Sequence, residues 1–564
     1  MFHTEQCAIA PCSILFYVEH SADERVLFIG ERKVGYILKV EERGIRDQTS
    51  QFVLCGNYTQ LRSASRAATS PMKSSSTPGH YLRQIILTIC IVLLGITVQA
   101  QSSGSQPGSI PESPQPSGQT NPPPAPTTSD NFFVRLANFY HQDWHPAPSN
   151  STASAPTPAR RGLPSPLDSP PFPNADWSYG GSPTIGEPDT ASYPLMTAIN
   201  NARSRTKFYG WLEPSLNFST SSTINAPEAN DVYSNRFELS QAVLYIERLP
   251  DSVQRAHVDW GFHVTALYGA DYRFTTAKGY FSHQWLVLHR QYGFDPALEY
   301  FDLYLPRIGQ GTNIRVGRFI SVPGVEAQLA PNNYIFSHSL LYSIDPFTDT
   351  GILSTTKIND QWLIQLGLTG GHDVALWTPD ARPSLTACVS YTTLSVNDNL
   401  YICANGINSG KYAFNNLQQY DATWYHRFSK SLHAASEAWY MYERDVPSIS
   451  GPIKPETGAN PAWCLVDEVR CTAPEYAAAS SLQMELSPHS FVSFRADFLD
   501  DKKGQRTGYA TRYSENTIMW GHWIGSTIQL RPELRFERAW DRKAFDNGRR
   551  QNQLTIATDL IYHF

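Results

Sequence analysis

The sequence is poor in charge. Only 17% of its 564 residues are Asp, Glu, Lys or Arg, against roughly 25% in soluble proteins. There is no basic excess either: 45 Lys and Arg stand against 51 Asp and Glu, a formal net charge of -6. That balance argues against a nucleic-acid binder, which carries a basic face for phosphate. Long hydrophobic runs are also missing. Mean hydropathy is -0.35, which excludes a bundle of membrane helices. Catalytic signatures are lacking: there is no Gly-x-Ser-x-Gly elbow, no His-Glu-x-x-His pair and no phosphate-cradling glycine loop. No Cys-x-x-Cys pair supports a zinc site, and no cofactor or metal is implied.

What is present is aromatic: 29 Tyr, 27 Phe and 13 Trp make up 12% of the chain. Low charge, many aromatics and modest hydropathy fit secreted β proteins and outer-membrane barrels, in which only every second residue faces lipid.

The strongest apolar run, Ile85–Val98, is short for a membrane helix. Met72, Lys73 and Arg83 precede it, and it ends at Val98-Gln99-Ala100. Basic start, short apolar centre and small residue at the end predict a signal peptide over 72–100, cleaved after Ala100. Residues 1–71 are then an upstream extension from a misassigned start. Four Cys remain in the exported part, and their short spacings favour Cys388–Cys403 and Cys464–Cys471 disulfides. The first pair is expected toward the outer ends of adjacent strands, the second within one outer loop.

Residues 101–204 form a tether, and 20 of the chain's 40 Pro lie in 101–200. Such a segment cannot bury a core of its own. A short helix is expected near 130–144, capped by Asp130. From 205 to 564 the pattern has period two. In Val258–Tyr268, residues Trp260, Phe262, Val264 and Tyr268 alternate with Asp259, Gly261, His263 and Thr265. About 16 strands of near ten residues fit this stretch. The connections between them alternate short and long. Tight turns on one side and long loops on the other predict an all-β, antiparallel transmembrane barrel. The rivals are a secreted soluble β-sandwich that binds carbohydrate and, further off, an outer-membrane hydrolase. A plugged 22-strand receptor would need a folded plug that a Pro-rich segment cannot supply.

Several stretches carry a resemblance. FYGWLEPSLNFS (Phe208–Ser219), VGRFISVPGVEAQLAPNNY (Val316–Tyr334), DPFTDTG (Asp345–Gly351), EAWYMYERDVP (Glu437–Pro447) and RPELRFERAWD (Arg531–Asp541) resemble outer-membrane β-barrel porins of the OmpL-like type. DDKKGQRTGYATRYSENT (Asp500–Thr517) adds to the match, which spans about Arg160 to Phe564. The VGRF segment is similar, more weakly, to phosphate-selective O/P porins. The resemblance implies a diffusion channel for small hydrophilic solutes in the bacterial outer membrane, with outer-membrane lipid around it. It implies a terminal signal, Leu560, Tyr562 and Phe564, for the barrel-assembly machinery. A homotrimer is the oligomer considered.

A pore needs a narrow place and a field there. The long loop Val322–Asp345, after the fifth strand, is expected to fold inward with Glu326 and Asp345 toward the lumen, beside Asn332 and Asn333. The wall opposite is expected to carry Arg531, Glu533, Arg535 and Glu537 on one face, with Arg495 and Asp497 on a second strand. Arg315 lies on the strand entering the loop. Four charges on a membrane strand must face water, because a mid-bilayer Arg costs about 2–4 kcal/mol. Pore-lining and mutual pairing both satisfy that demand. Mixed acids and bases leave ion selectivity open.

Overall fold

The computed structural model describes residues 15–21, 24–31, 34–40, 53–54, 131–145, 185, 193–200, 202–227, 231–282, 291–455 and 460–564. The expected signal peptide, the Pro-rich stretch before Asn131 and Asp130 itself lie outside them. The chain divides into two units, 1–117 and 118–564. The first holds a four-stranded antiparallel sheet, β1 (Leu15–Ser21), β2 (Glu24–Glu31), β3 (Val34–Val40) and β4 (Val53–Leu54).

The second unit is a closed barrel of 16 strands, β5 to β20, each paired antiparallel with its chain neighbours. It opens with β5 (Thr206–Ser219), β6 (Phe237–Arg248), β7 (Asp259–Gly269), β8 (Gly293–Leu305) and β9 (Thr312–Ile320). It continues with β10 (Thr348–Lys357), β11 (Trp362–His372), β12 (Ser384–Thr392), β13 (Asp398–Ile407) and β14 (Gln418–Arg427). It ends with β15 (Leu432–Pro447), β16 (Arg470–Ser487), β17 (Ser490–Asp501), β18 (Thr511–Ile524), β19 (Ile528–Ala539) and β20 (Asn552–His563). Closure leaves no open edge in lipid, which is what a hydrocarbon environment demands of a sheet.

The two-residue period decides each strand's orientation. On β7, Asp259, Gly261, His263 and Thr265 point inward and are buried, while Trp260, Val264 and Tyr268 stand on the outer face. On β20, Leu554 and Ile556 face out, and Gln553, Thr555, Ala557 and Asp559 face in. Turns such as 358–361, 393–397 and 525–527 lie on the side of the barrel that carries both barrel termini. The longer connections, among them 270–292, 321–347 and 448–469, lie on the other.

The seam joins β20 to β5, with Tyr562 opposite Leu212 and His563 opposite Trp211. Phe564 extends the pairing: its N–H donates to Gly210 O at 2.9 Å, and Gly210 N–H returns a bond to Phe564 O at 3.1 Å. A Cβ at Gly210 would stand 1.9 Å from Val243 O and 2.8 Å from the Phe564 ring. The seam therefore closes only around glycine.

Both disulfides are present. Cys388 and Cys403 sit directly opposite each other on β12 and β13, their Cα atoms 4.1 Å apart. They lie at mid-strand and face inward, not at the outer ends. The register fixes this, since the turn between them is centred on 393–397 and each Cys is about equally far from both strand ends. Cys464 and Cys471 staple the end of the 448–469 loop to the start of β16.

The expected helix is present over Phe132–Trp144, but Asn131 rather than Asp130 caps it, its Oδ1 accepting from Phe133 N at 2.9 Å. It is docked on the barrel rim. Asp143 accepts from Ser526 N at 2.8 Å and from Thr527 Oγ1 at 2.7 Å, in the turn between β18 and β19. Tyr140 OH donates to His563 O at 3.0 Å, and its ring lies 5.3 Å from that of Tyr562. Arg135 Nε donates to Ala198 O at 2.7 Å, tying the helix to a short one over Pro194–Ala198. Within that element Met196 is fully buried, clustered with Tyr193, Tyr209 and Trp211 inside the barrel.

Candidate pore and constriction

Strand β9 delivers the chain into the loop 321–347, and Ser321 N–H bonded to Phe347 O at 2.9 Å closes its neck. Nearly all of its side chains are buried. The loop builds its own scaffold. Asn333 Oδ1 accepts from Ala327 N at 2.8 Å, and its Nδ2 donates to Ala327 O at 2.6 Å, so one side chain imitates a strand partner. His338 Nε2 lies 2.6 Å from Ala327 O, and its ring stacks on Tyr342 at 4.1 Å. Burial, opposed by the bond to Ala327, pushes the His338 pKa down to about 3.

The barrel wall grips this loop from several strands. Arg531 on β19 donates to the carbonyl oxygens of Asn333 at 2.7 Å and Ala330 at 3.1 Å. Arg495 on β17 donates to Ser337 O at 2.6 Å, His338 O at 2.9 Å and Glu326 Oε1 at 3.0 Å. Glu533 accepts from Ser337 N at 2.9 Å, and Asp497 from Leu340 N at 3.3 Å. From the far wall, Glu437 on β15 accepts from Val325 N at 2.7 Å, and Gln419 on β14 donates to Asp345 at 2.6 Å. Gln241 on β6 donates to Gln328 O at 2.8 Å. The loop thus spans the barrel interior, tied to β6, β14, β15, β17 and β19.

The ladder of alternating charges points inward but is not solvated. Arg531 and Arg535 are fully buried and Arg495 is 2% exposed. Arg531 pairs with Asp559 and, at 3.4 Å, with Glu213. Arg535 pairs with Glu533 at 3.0 Å and Glu537 at 3.2 Å. Arg315 forks onto Asp302 with two 2.9 Å bonds and lies 3.5 Å from the Tyr300 ring centroid. These arginines are therefore paired with acids and with the loop. The reason is the donor-rich guanidinium, which satisfies backbone carbonyls of a loop that has no ladder of its own. Of the acids, Asp345 is buried, while the Glu326 side chain keeps 17% exposure beside Arg495. Asn332 and Asn333 are turned into the loop, not presented to the lumen.

Alternation alone placed Arg495, Arg531 and Glu533. It gave no reason to single out Gln241, Gln419 or Asp421, which share an inward face with many other polar residues. Arg506 sits in the loop between β17 and β18, and its guanidinium donates to Ile344 O at 2.7 Å.

A closed 16-strand barrel with a loop anchored across its interior meets the form of a known family. The family described as "Putative beta-barrel porin-2, OmpL-like" matches residues 205–564. The chain belongs to this family. It is an outer-membrane porin, and its place is the bacterial outer membrane. No curated protein matches the chain. Among solved structures, similarity extends to an anion-selective porin from Comamonas acidovorans, at 11% identity and TM-score 0.40, covering 64% of this chain and 99% of that one. The outer-membrane channel DcaP of Acinetobacter baumannii is similar at 12% identity and TM-score 0.41, over 64% and 97%. OmpT, an outer-membrane protein of Vibrio cholerae, is similar at 7% identity and TM-score 0.37, over 64% and 99%. The closed barrel also sets aside the soluble β-sandwich.

Proposed function

We propose that this porin is a passive diffusion channel for small hydrophilic solutes, and that it performs no reaction chemistry. The observation that carries the reading is the 321–347 loop, fixed across the lumen by Arg495, Arg531 and Glu437. In this reading Glu326, with Asp345 behind it, marks the narrow place. Asp497, Glu533, Arg535 and Glu537 form the lattice that holds it, and Arg315 stiffens the wall at its entry. Sixteen strands are enough to enclose an aqueous channel, and the loop reduces it to small solutes.

The proposal extends to the rest of the chain. Residues 72–100 export it, and the tether lies on the periplasmic side, where the short turns are. The docked elements Phe132–Trp144 and Pro194–Ala198 narrow the periplasmic mouth. Leu560, Tyr562 and Phe564 are the signal to the barrel-assembly machinery, and the barrel works as a homotrimer in outer-membrane lipid. Planar-bilayer recording of the purified, detergent-extracted protein is the test. Discrete conductance steps with permeation of small sugars or amino acids are expected. Inserted, heat-modifiable protein without conductance would overturn the reading.

A further inference from the structure

On β19 the apolar outer face ends in a cation. Leu534 and Phe536 stand on that face, and Arg538 follows them on it, also exposed. Arg538 lies at the outer end of the strand, just before the 540–551 connection to β20. A lipid-facing Arg is costly at the bilayer midplane and cheap near the interface, so Arg538 marks where hydrocarbon gives way to headgroups. Its guanidinium lies over the Trp540 indole, 4.3 Å from the ring centroid. Trp540 is itself fixed: its Nε1 donates to Ser514 Oγ at 3.0 Å and its backbone N to Arg512 O at 2.8 Å.

A second pair repeats the arrangement. Arg542 lies 4.8 Å from the centroid of the Trp463 ring, in the outer loop that the Cys464–Cys471 disulfide staples. Lys543 follows, also exposed. Among the described residues, Arg538, Arg542 and Lys543 have no carboxylate partner. The nearest acids in the chain are already engaged. Asp541 accepts a fork from Arg512, at 3.0 and 2.6 Å. Asp546 is buried and accepts from the hydroxyls of Ser222 and Thr223. The rim between β18 and β20 therefore carries uncompensated positive charge. Beneath it the outer wall is apolar: Phe536 stands opposite Leu554 on β20, and Leu534 opposite Ile518 on β18.

A guanidinium with an indole on one face keeps its in-plane N–H groups for an anion, and its planar fork matches phosphate in two bonds. Two such forks within five residues suit a headgroup with more than one phosphate. The partly exposed indoles of Trp540 and Trp463 offer flat, amphipathic surface at headgroup level, which suits sugar rings between the phosphates. The apolar wall directly below suits acyl chains, which a free anion lacks. We propose that this rim docks a glycolipid of the outer leaflet that bears more than one phosphate. Arg538 and Arg542 hold its phosphates, and its chains lie along Phe536, Leu554 and Ile518. The inference uses the outer-membrane location and stands apart from the channel reading.

The test is native mass spectrometry of the full, delipidated chain in detergent, titrated with lipid A, a bis-phosphorylated acyl disaccharide. A saturable adduct is expected. Arg538→Gln with Arg542→Gln should weaken it about tenfold or more, the scale of losing charge-assisted hydrogen bonds. Lipid A stripped of its phosphates should lose as much against the wild-type chain. Phosphatidylglycerol, with one phosphate and no sugar, should bind more weakly than lipid A. Arg542→Gln alone changes only an outer loop, so it decides the matter if the double variant fails the heat-modifiable gel test for folding; a severalfold loss is expected. Wild-type affinity in the folded variants overturns the proposal, as does equal binding of the phosphate-free lipid. Equal binding of phosphatidylglycerol overturns the glycolipid assignment. Displacement of the lipid by millimolar inorganic phosphate would make the rim a free-anion site and overturn the proposal too.

Discussion

The Arg531 guanidinium and the Asn333 carbonyl, 198 residues apart in the chain, are joined by a 2.7 Å hydrogen bond. The same guanidinium pairs with Asp559 on the neighbouring strand. One side chain therefore fixes both the wall and the loop. Arg531→Ala leaves Asp559 and Glu213 buried without their cation, a loss of about 3–5 kcal/mol for a broken buried pair. The heat-modifiable gel transition should move to lower temperature, and single-channel records should become noisier as the loop loses its anchor. A variant with wild-type heat stability and quiet channels would count against the anchoring role.

The Phe564–Gly210 seam gives a second prediction. Gly210→Ala places a methyl against Val243 O at 1.9 Å, and the clash is with backbone. The assembled fraction should fall, read as the ratio of folded to unfolded bands from outer-membrane preparations. Deleting Phe564 should also lower assembly, through the missing pair with Gly210, more than it changes the conductance of barrels that do assemble.

The docked helix can be released without touching the barrel wall. Asp143→Ala removes the acceptor for Ser526 N and Thr527 Oγ1. Deleting residues 131–198 removes the helix and Met196 together. Conductance should rise modestly in the point variant and more in the deletion, in the same bilayer assay. Equal conductance in both would show that these elements do not narrow the mouth.

His338 predicts a pH effect. Its folded pKa is pushed down to about 3, below the ordinary value of 6.5. Between those two values the released loop binds a proton that the docked loop does not. Loop docking is therefore fully stable above about pH 6.5 and weakens as pH falls toward 3. Channel closures or noise should increase on acidification across that window, and His338→Gln should flatten the dependence. A profile identical in both proteins would remove His338 as the cause.

The disulfides are testable by non-reducing peptide mapping, which should recover Cys388–Cys403 and Cys464–Cys471 as the only pairs in the exported chain. The second closes a short segment of the outer loop, so reduction should loosen 448–469 before it affects the barrel. Crossed pairs would contradict the register of β12 with β13.

Much of the barrel was legible because a two-residue period is a local signal. Trp260 and Asp259 announce their faces from adjacent positions, and the spacing of turns supplied the strand count. Which charged residues face the interior was also legible, as Arg495, Arg531 and Glu533 show. What those charges touch was not. Whether Arg531 meets water or the Asn333 carbonyl depends on how a loop 198 residues earlier folds, and no local pattern encodes that. Glu437 was equally hidden, since its contact is with Val325 in a loop that arrives from β9. The helix was visible in the sequence, but its seat on Thr527 and His563 was not, because a Pro-rich stretch separates the two.

That seat has a consequence for the order of events during biogenesis. The groups that receive the Phe132–Trp144 helix are Ser526 and Thr527 in the β18–β19 turn and Tyr562 and His563 on β20. The helix precedes every strand of the barrel in the chain, yet its binding site exists only once the final hairpin has formed. Docking of the helix therefore follows the folding of the last strands, although the helix comes before them in the chain.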